Sequence, residues 1–144
     1  MVNSRDIKDL DPRTADLCRK FINACKKDGI DVLITSTHRD YESQNALYAQ
    51  GRTLPGKKVT NAKGGHSFHN FKCAFDFVPI VNGKARWNDT HLFTVCGEIA
   101  EKIGLEWAGR WHKFPELCHC QFTDGLTLAD YQAGKKIADK PWTA

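Results

Sequence analysis

Gly64-Gly65-His66-Ser67-Phe68-His69-Asn70-Phe71-Lys72-Cys73-Ala74-Phe75-Asp76 decides how the rest of the chain is read. Two glycines break the backbone, a Ser-x-His follows, and seven residues after His69 the carboxylate of Asp76 sits within an apolar run. That pattern sets metal chemistry at the start of a strand. His69 offers a nitrogen ligand and Asp76 an oxygen ligand, and both suit Zn²⁺. Far downstream, Glu116-Leu117-Cys118-His119 adds a second imidazole with a carboxylate three residues before it. Two histidines and one aspartate leave the fourth position of a tetrahedral zinc open, which is the catalytic and not the structural pattern.

Working outward, residues 73–80 read as a strand, and Asn82-Gly83 is a hairpin signal leading into 84–87. Asn88 or Asp89 caps a helix that carries Phe93, Cys96, Ile99, Ala100 and Ile103 and stops at Gly104. Residues 105–107 and 117–122 read as further strands, and Thr127-Leu128-Ala129-Asp130 opens a last helix to about Ala138. Upstream, Asp11-Pro12 starts a helix that runs to Gly29. A buried strand follows at 31–35, then a helix at 41–50 closed by Gly51. Residues 52–67, rich in Gly, Lys and Thr, form a long connection of the kind that often carries function. Strands joined partly by a hairpin, with helices grouped around them, predict an α+β fold with a small antiparallel sheet and flanking helices.

At 144 residues the chain is expected to be one domain, 1–144, large enough for a real core. Apolar residues at 41% and charged residues at 26% are ordinary for a globular protein, and no stretch approaches a membrane span. The net charge of +4 is mild and its lysines and arginines are dispersed, so nucleic-acid binding is not expected. The polar N-terminus lacks a signal-peptide pattern, which predicts a cytoplasmic start and reduced thiols for all six cysteines. Cys118 and Cys120 flank His119, and strand alternation would turn both away from a metal. Trp107 is expected in the core and Trp111 on a cleft wall. His38, His91 and His112 are read as ordinary polar residues, and His66 as a solvent-exposed neighbour of the site.

Taken in order, Thr37-His38-Arg39, the run from Gln44 to Thr53, Ser67-Phe68-His69-Asn70, Ala74-Phe75-Asp76-Phe77, Gly104-Leu105-Glu106-Trp107 and His119-Cys120-Gln121-Phe122 resemble one family. It is the VanY-like zinc peptidases, which include D-alanyl-D-alanine carboxypeptidases and L-alanyl-D-glutamate endopeptidases, the latter common as bacteriophage endolysins. The resemblance implies the hedgehog/DD-peptidase-like fold and zinc held by His69, Asp76 and His119. It makes Glu116 the general base, Arg39 the group that binds or polarises substrate at the scissile bond, and Ser67 a hydrogen-bonding neighbour that binds substrate. The implied substrate is the stem peptide of peptidoglycan, and the implied bond is L-alanyl-D-glutamate. A D-Ala-D-Ala carboxypeptidase or dipeptidase, or a non-catalytic wall-binding module of the same fold, are the alternatives. As an endolysin the chain would be a monomer without membrane insertion, held in the host cytoplasm until a holin gives it access to the wall. Three positions depart from the endolysin branch: Glu116 stands where Asp is usual, Cys118 where Pro is usual, and Arg110 where an acidic residue is frequent.

Overall fold

The computed structural model describes residues 1–137. Asp11 accepts the amide hydrogen of Thr14 and Pro12 fills the first turn, which starts helix α1 (Pro12–Lys27). Leu17, Cys18, Phe21 and Cys25 recur on one face of α1 at helical spacing and are all buried. Strand β1 (Asp31–Ser36) follows, then α2 (Tyr41–Ala49), capped by Asp40. After the long connection come β2 (Ala74–Val81), the short hairpin strand β3 (Lys84–Ala85) and α3 (Thr90–Ile103), capped by Asp89. Strands β4 (Glu106–Trp107) and β5 (His119–Gln121) and the short helix α4 (Leu128–Gln132) complete the described chain.

Among the described residues the five strands make one antiparallel sheet in the order β1-β2-β5-β4, with β3 paired to β2. This is the α+β arrangement expected. Its two faces do different work, because successive side chains of a strand point to opposite sides. Phe75 and Phe77 of β2 turn toward the helices, where Phe21 lies 5.7 and 4.9 Å from their rings and Phe93 lies 5.5 Å from Phe77. Cys120 and Trp107, opposite each other across β5 and β4, extend that core. Asp76, between the two phenylalanines, takes the other face.

Trp107 is core, as expected, and its fit is close. Its indole donates to the carbonyl of Leu117 at 2.8 Å. A Cβ added at Gly97 of α3 or at Gly109 would stand only 2.1 or 2.2 Å from the ring. Glycine is required at both positions by this close approach.

Four local expectations need correction. The strand expected at 117–122 is only His119–Gln121, because residues 117–118 turn and His119 donates its amide hydrogen to Glu116 at 3.3 Å. The second hairpin strand ends at Ala85, not Trp87. His69 precedes the strand in a 3₁₀ turn, Phe68–Phe71, and Lys72 in left-handed conformation closes that turn. The last helix stops at Gln132, beyond which Gly134 has φ +94°; Ala138, its expected end, lies outside the described residues. No helix among the described residues is long and apolar enough to cross a membrane.

Candidate metal centre

Asp76 and His119 face each other directly across the β2–β5 pairing. A shift of register in β1 between Ile34 and Ser36 brings Ser36 opposite Asp76, the sort of irregularity that re-aims a side chain beside a site. His69 arrives from the 3₁₀ turn. There the Ser67 hydroxyl accepts the amide hydrogen of His69 at 3.2 Å, and the Asn70 side chain accepts that of Ser67 at 3.2 Å. Asn70 also donates to the Arg39 carbonyl at 2.9 Å, while the Arg39 amide donates to the His69 carbonyl at 3.1 Å. The turn is thereby locked against the end of β1.

One carboxylate oxygen, Asp76 Oδ1, lies 3.1 Å from His69 Nε2 and 3.2 Å from His119 Nδ1. Ligand atoms from these three residues all lie within 4.8 Å of one another. The outer ring nitrogens are already engaged. His69 Nδ1 is 2.8 Å from the Thr37 carbonyl, which only accepts, so this nitrogen carries a hydrogen and Nε2 is the nitrogen left to give a lone pair to a metal. His119 Nε2 is 2.8 Å from Gln121 Oε1. Two ring nitrogens and a carboxylate thus converge on one small space, a donor set that fits a divalent cation with N/O preference such as zinc.

Electrostatics agree with that geometry. Burial alone would raise the Asp76 carboxyl, but the two imidazoles outweigh it and hold Asp76 below the ordinary carboxylate range. Burial likewise opposes charge on His119, yet Asp76, with help from Glu116, pushes this imidazole upward. Glu116 Oε2 is 3.7 Å from His119 Nδ1, outside the tight group of three. Burial is the first cause that raises the Glu116 carboxyl, and the charge of Asp76 adds to it.

Arg39 is buried beside them, with Nη2 3.9 Å from Asp76 Oδ2. Nη1 donates to Gln44 Oε1 at 3.0 Å and Nη2 to Ser36 Oγ at 3.1 Å. Each support is itself held: Gln44 donates to the Ala62 carbonyl at 2.7 Å and Ser36 to Asn3 Oδ1 at 3.1 Å. All six residues singled out from the sequence, Arg39, Ser67, His69, Asp76, Glu116 and His119, line one cavity of about 610 Å³. Trp111 forms part of its wall, 5.5 Å from the His119 ring, as expected. His66 is exposed and lines the cavity too.

Cys120 is fully buried in the core, as alternation requires. Cys118 is not turned away: it lines the cavity, because residues 117–118 are a turn and alternation begins only at His119. The sequence reading missed the Thr37 carbonyl, Ser36 and Gln121. Gln121 alone had a usable signal, being two residues beyond His119 and so on the same strand face.

Comparison with known proteins adds the following. The family model VanY: D-alanyl-D-alanine carboxypeptidase matches residues 7–114. The peptidoglycan L-alanyl-D-glutamate endopeptidase CwlK of Bacillus subtilis (strain 168) is 37% identical over 113 residues, covering 68% of this chain and 64% of that relative, so more than a third of the relative lies outside the match. The L-Ala D-Glu endopeptidase ChiX of Serratia marcescens superposes with a TM-score of 0.63 at 17% identity, over 88% of this chain and 86% of the other. A variant of the vancomycin resistance D,D-pentapeptidase VanY in complex with Zn(II) gives 0.60 at 18% identity, over 85% and 83%. At such identities the two structures speak for the fold.

Proposed function

The chain belongs to the VanY family, and from that premise we propose that it is a zinc peptidase that hydrolyses the L-alanyl-D-glutamate amide bond in the peptide stem of peptidoglycan. The observation that carries this reading is the convergence of His69 Nε2, Asp76 Oδ1 and His119 Nδ1 beside Glu116 in one open cavity. When bound, zinc supplies Lewis acidity at the scissile carbonyl and brings water into a reactive range near neutral pH. Glu116 takes the proton of the attacking water and returns it to the leaving amine. Its place outside the three-residue group supports a base over a fourth ligand. Arg39 offsets charge on the tetrahedral intermediate or grips a substrate carboxylate, with its guanidinium pre-set by Ser36 and Gln44. Ser67 holds the turn of His69 and lines the same cavity, where its hydroxyl reaches substrate.

The choice of bond leans on the likeness to CwlK. A second reading, D-Ala-D-Ala carboxypeptidase, is favoured by the description of the family model itself. On the endolysin branch of the resemblance, cleavage lyses a host cell after a holin gives access to the wall. Mass spectrometry of the fragments from purified peptidoglycan separates the two bonds. Stems cut between L-alanine and D-glutamate are expected; release of free D-alanine alone would transfer the proposal to the second reading. Zinc content tests the ligands: His119→Ala should lose most of its zinc, and full occupancy would overturn the site.

A further inference from the structure

Glu106 and Gln121 are direct partners across β4 and β5. Gln121 Nε2 donates to Glu106 Oε2 at 3.1 Å, and the Trp111 indole donates to the same oxygen at 2.9 Å. At its other end, Gln121 Oε1 faces His119 Nε2 at 2.8 Å. The direction of every bond in this row follows from chemistry. A carboxylate only accepts, so the amide end facing Glu106 is the NH₂ group. The end facing His119 is then the oxygen, which also only accepts. His119 Nε2 must therefore carry a ring hydrogen, so that Nδ1, 3.2 Å from Asp76 Oδ1, is the nitrogen left to give a lone pair to a metal.

We propose that Glu106 is a positioning residue for the metal centre, which through the amide of Gln121 holds His119 in the Nε2–H tautomer that a metal at Nδ1 requires. This rests on the reading of His119 as a ligand. Gln121 is buried, so both ends of its amide need partners. Without an acceptor-only group at position 106 the amide can turn over, and its NH₂ would then meet a bare Nε2, leaving the hydrogen on Nδ1. That tautomer cannot ligate. Trp111 keeps the carboxylate in place by donating to the same oxygen.

Glu106→Gln tests this, because the side chain is exposed and the change keeps shape while allowing both amide orientations. Partners of this kind typically contribute 10–100-fold in metal affinity. Chelator competition on the full chain should therefore show zinc held about tenfold or more weakly than in the parent. In the zinc-loaded protein, the His119 ring N–H proton resonance should also shift and exchange faster with solvent, since its hydrogen bond to Gln121 is no longer enforced. A role confined to packing would not move that proton. Zinc affinity within twofold of the parent, or an unaltered ring N–H signal, overturns the proposal. The ligand reading falls separately, on zinc retained by His119→Ala.

Discussion

Asp76 Oδ1 is shared by two imidazoles, and at the scale of single residues this fixes the competition between metal and proton. The His119 imidazole is raised above its ordinary 6.5, burial being opposed and outweighed by Asp76. A proton on Nδ1 excludes the metal, so zinc affinity should fall as pH drops through that raised value, by about tenfold per unit below it. Zinc titrations in non-coordinating buffers should show the decline beginning above pH 6.5; constant affinity down to that pH would contradict the assignment. Glu116 has the opposite logic. Its carboxyl is raised by burial, so its protonated form stabilises the fold at low pH, and this is lost as pH rises through the folded-state value. At pH 7 Glu116→Gln should unfold no earlier than the parent and keep its zinc, while hydrolysis drops about 10²–10⁴-fold. Calorimetry, metal analysis and a peptidoglycan assay check the three parts together, and near-parent hydrolysis would refute the role. Of the candidate site, His69, Asp76 and His119 were legible as a possible ligand set from residue type and spacing, while the roles of Glu116 and Arg39 came from the family resemblance. The Thr37 carbonyl and Ser36 were not, since a backbone acceptor or a hydroxyl brought in by a register shift leaves no mark in the sequence.

Elements built on strong local signals appear where the sequence places them. Capping aspartates at 11, 40 and 89 start α1, α2 and α3, and apolar stripes follow the cap in α1 and α3. The errors lie where tertiary contacts override pattern. Leu117 and Cys118 read as strand by their apolar character, yet they turn so that the Leu117 carbonyl can accept from Trp107. The loop at 52–67 is irregular, as its glycines and lysines suggest, but α2 fastens it through Gln44 to Ala62 and Asn45 to Gly64, and Gln50 just beyond the helix bonds to Lys57. Packing of α3 onto β4 gives the sharpest prediction at this scale. In Gly97→Ala the new methyl would lie 2.1 Å from the Trp107 ring, which is itself buried and tied to the Leu117 carbonyl. Overpacking of this sort costs about 1–3 kcal/mol. Urea unfolding should read a loss in that range or above, with zinc stoichiometry intact, and an unchanged midpoint would mean that the indole is free to move.

Across the whole molecule, the helical face of the sheet holds thiols and aromatic rings, and the other face holds the polar site. Cys18, Cys25, Cys73, Cys96 and Cys120 are fully buried and free, and Cys118 is free and partly buried. Burial pushes the Cys18 and Cys73 thiols up to about 12, so few thiolates exist near neutral pH. A chromogenic disulfide reagent should thus react with at most one thiol in the native protein and with six after unfolding without reductant; a lower count would reveal a disulfide. The strand order β1-β2-β5-β4 has its own consequence in time. Among the described strands β5 is the last to leave the ribosome, yet it lies inside the sheet, between β2 and β4, and is the strand to which β4 pairs. Until residue 121 has emerged, Asp76 waits on one open edge and His119 does not yet exist beside it. On the proposed function, hydrolytic power would arrive only with the strand that completes the sheet, because β5 brings both His119 and the partner of β4.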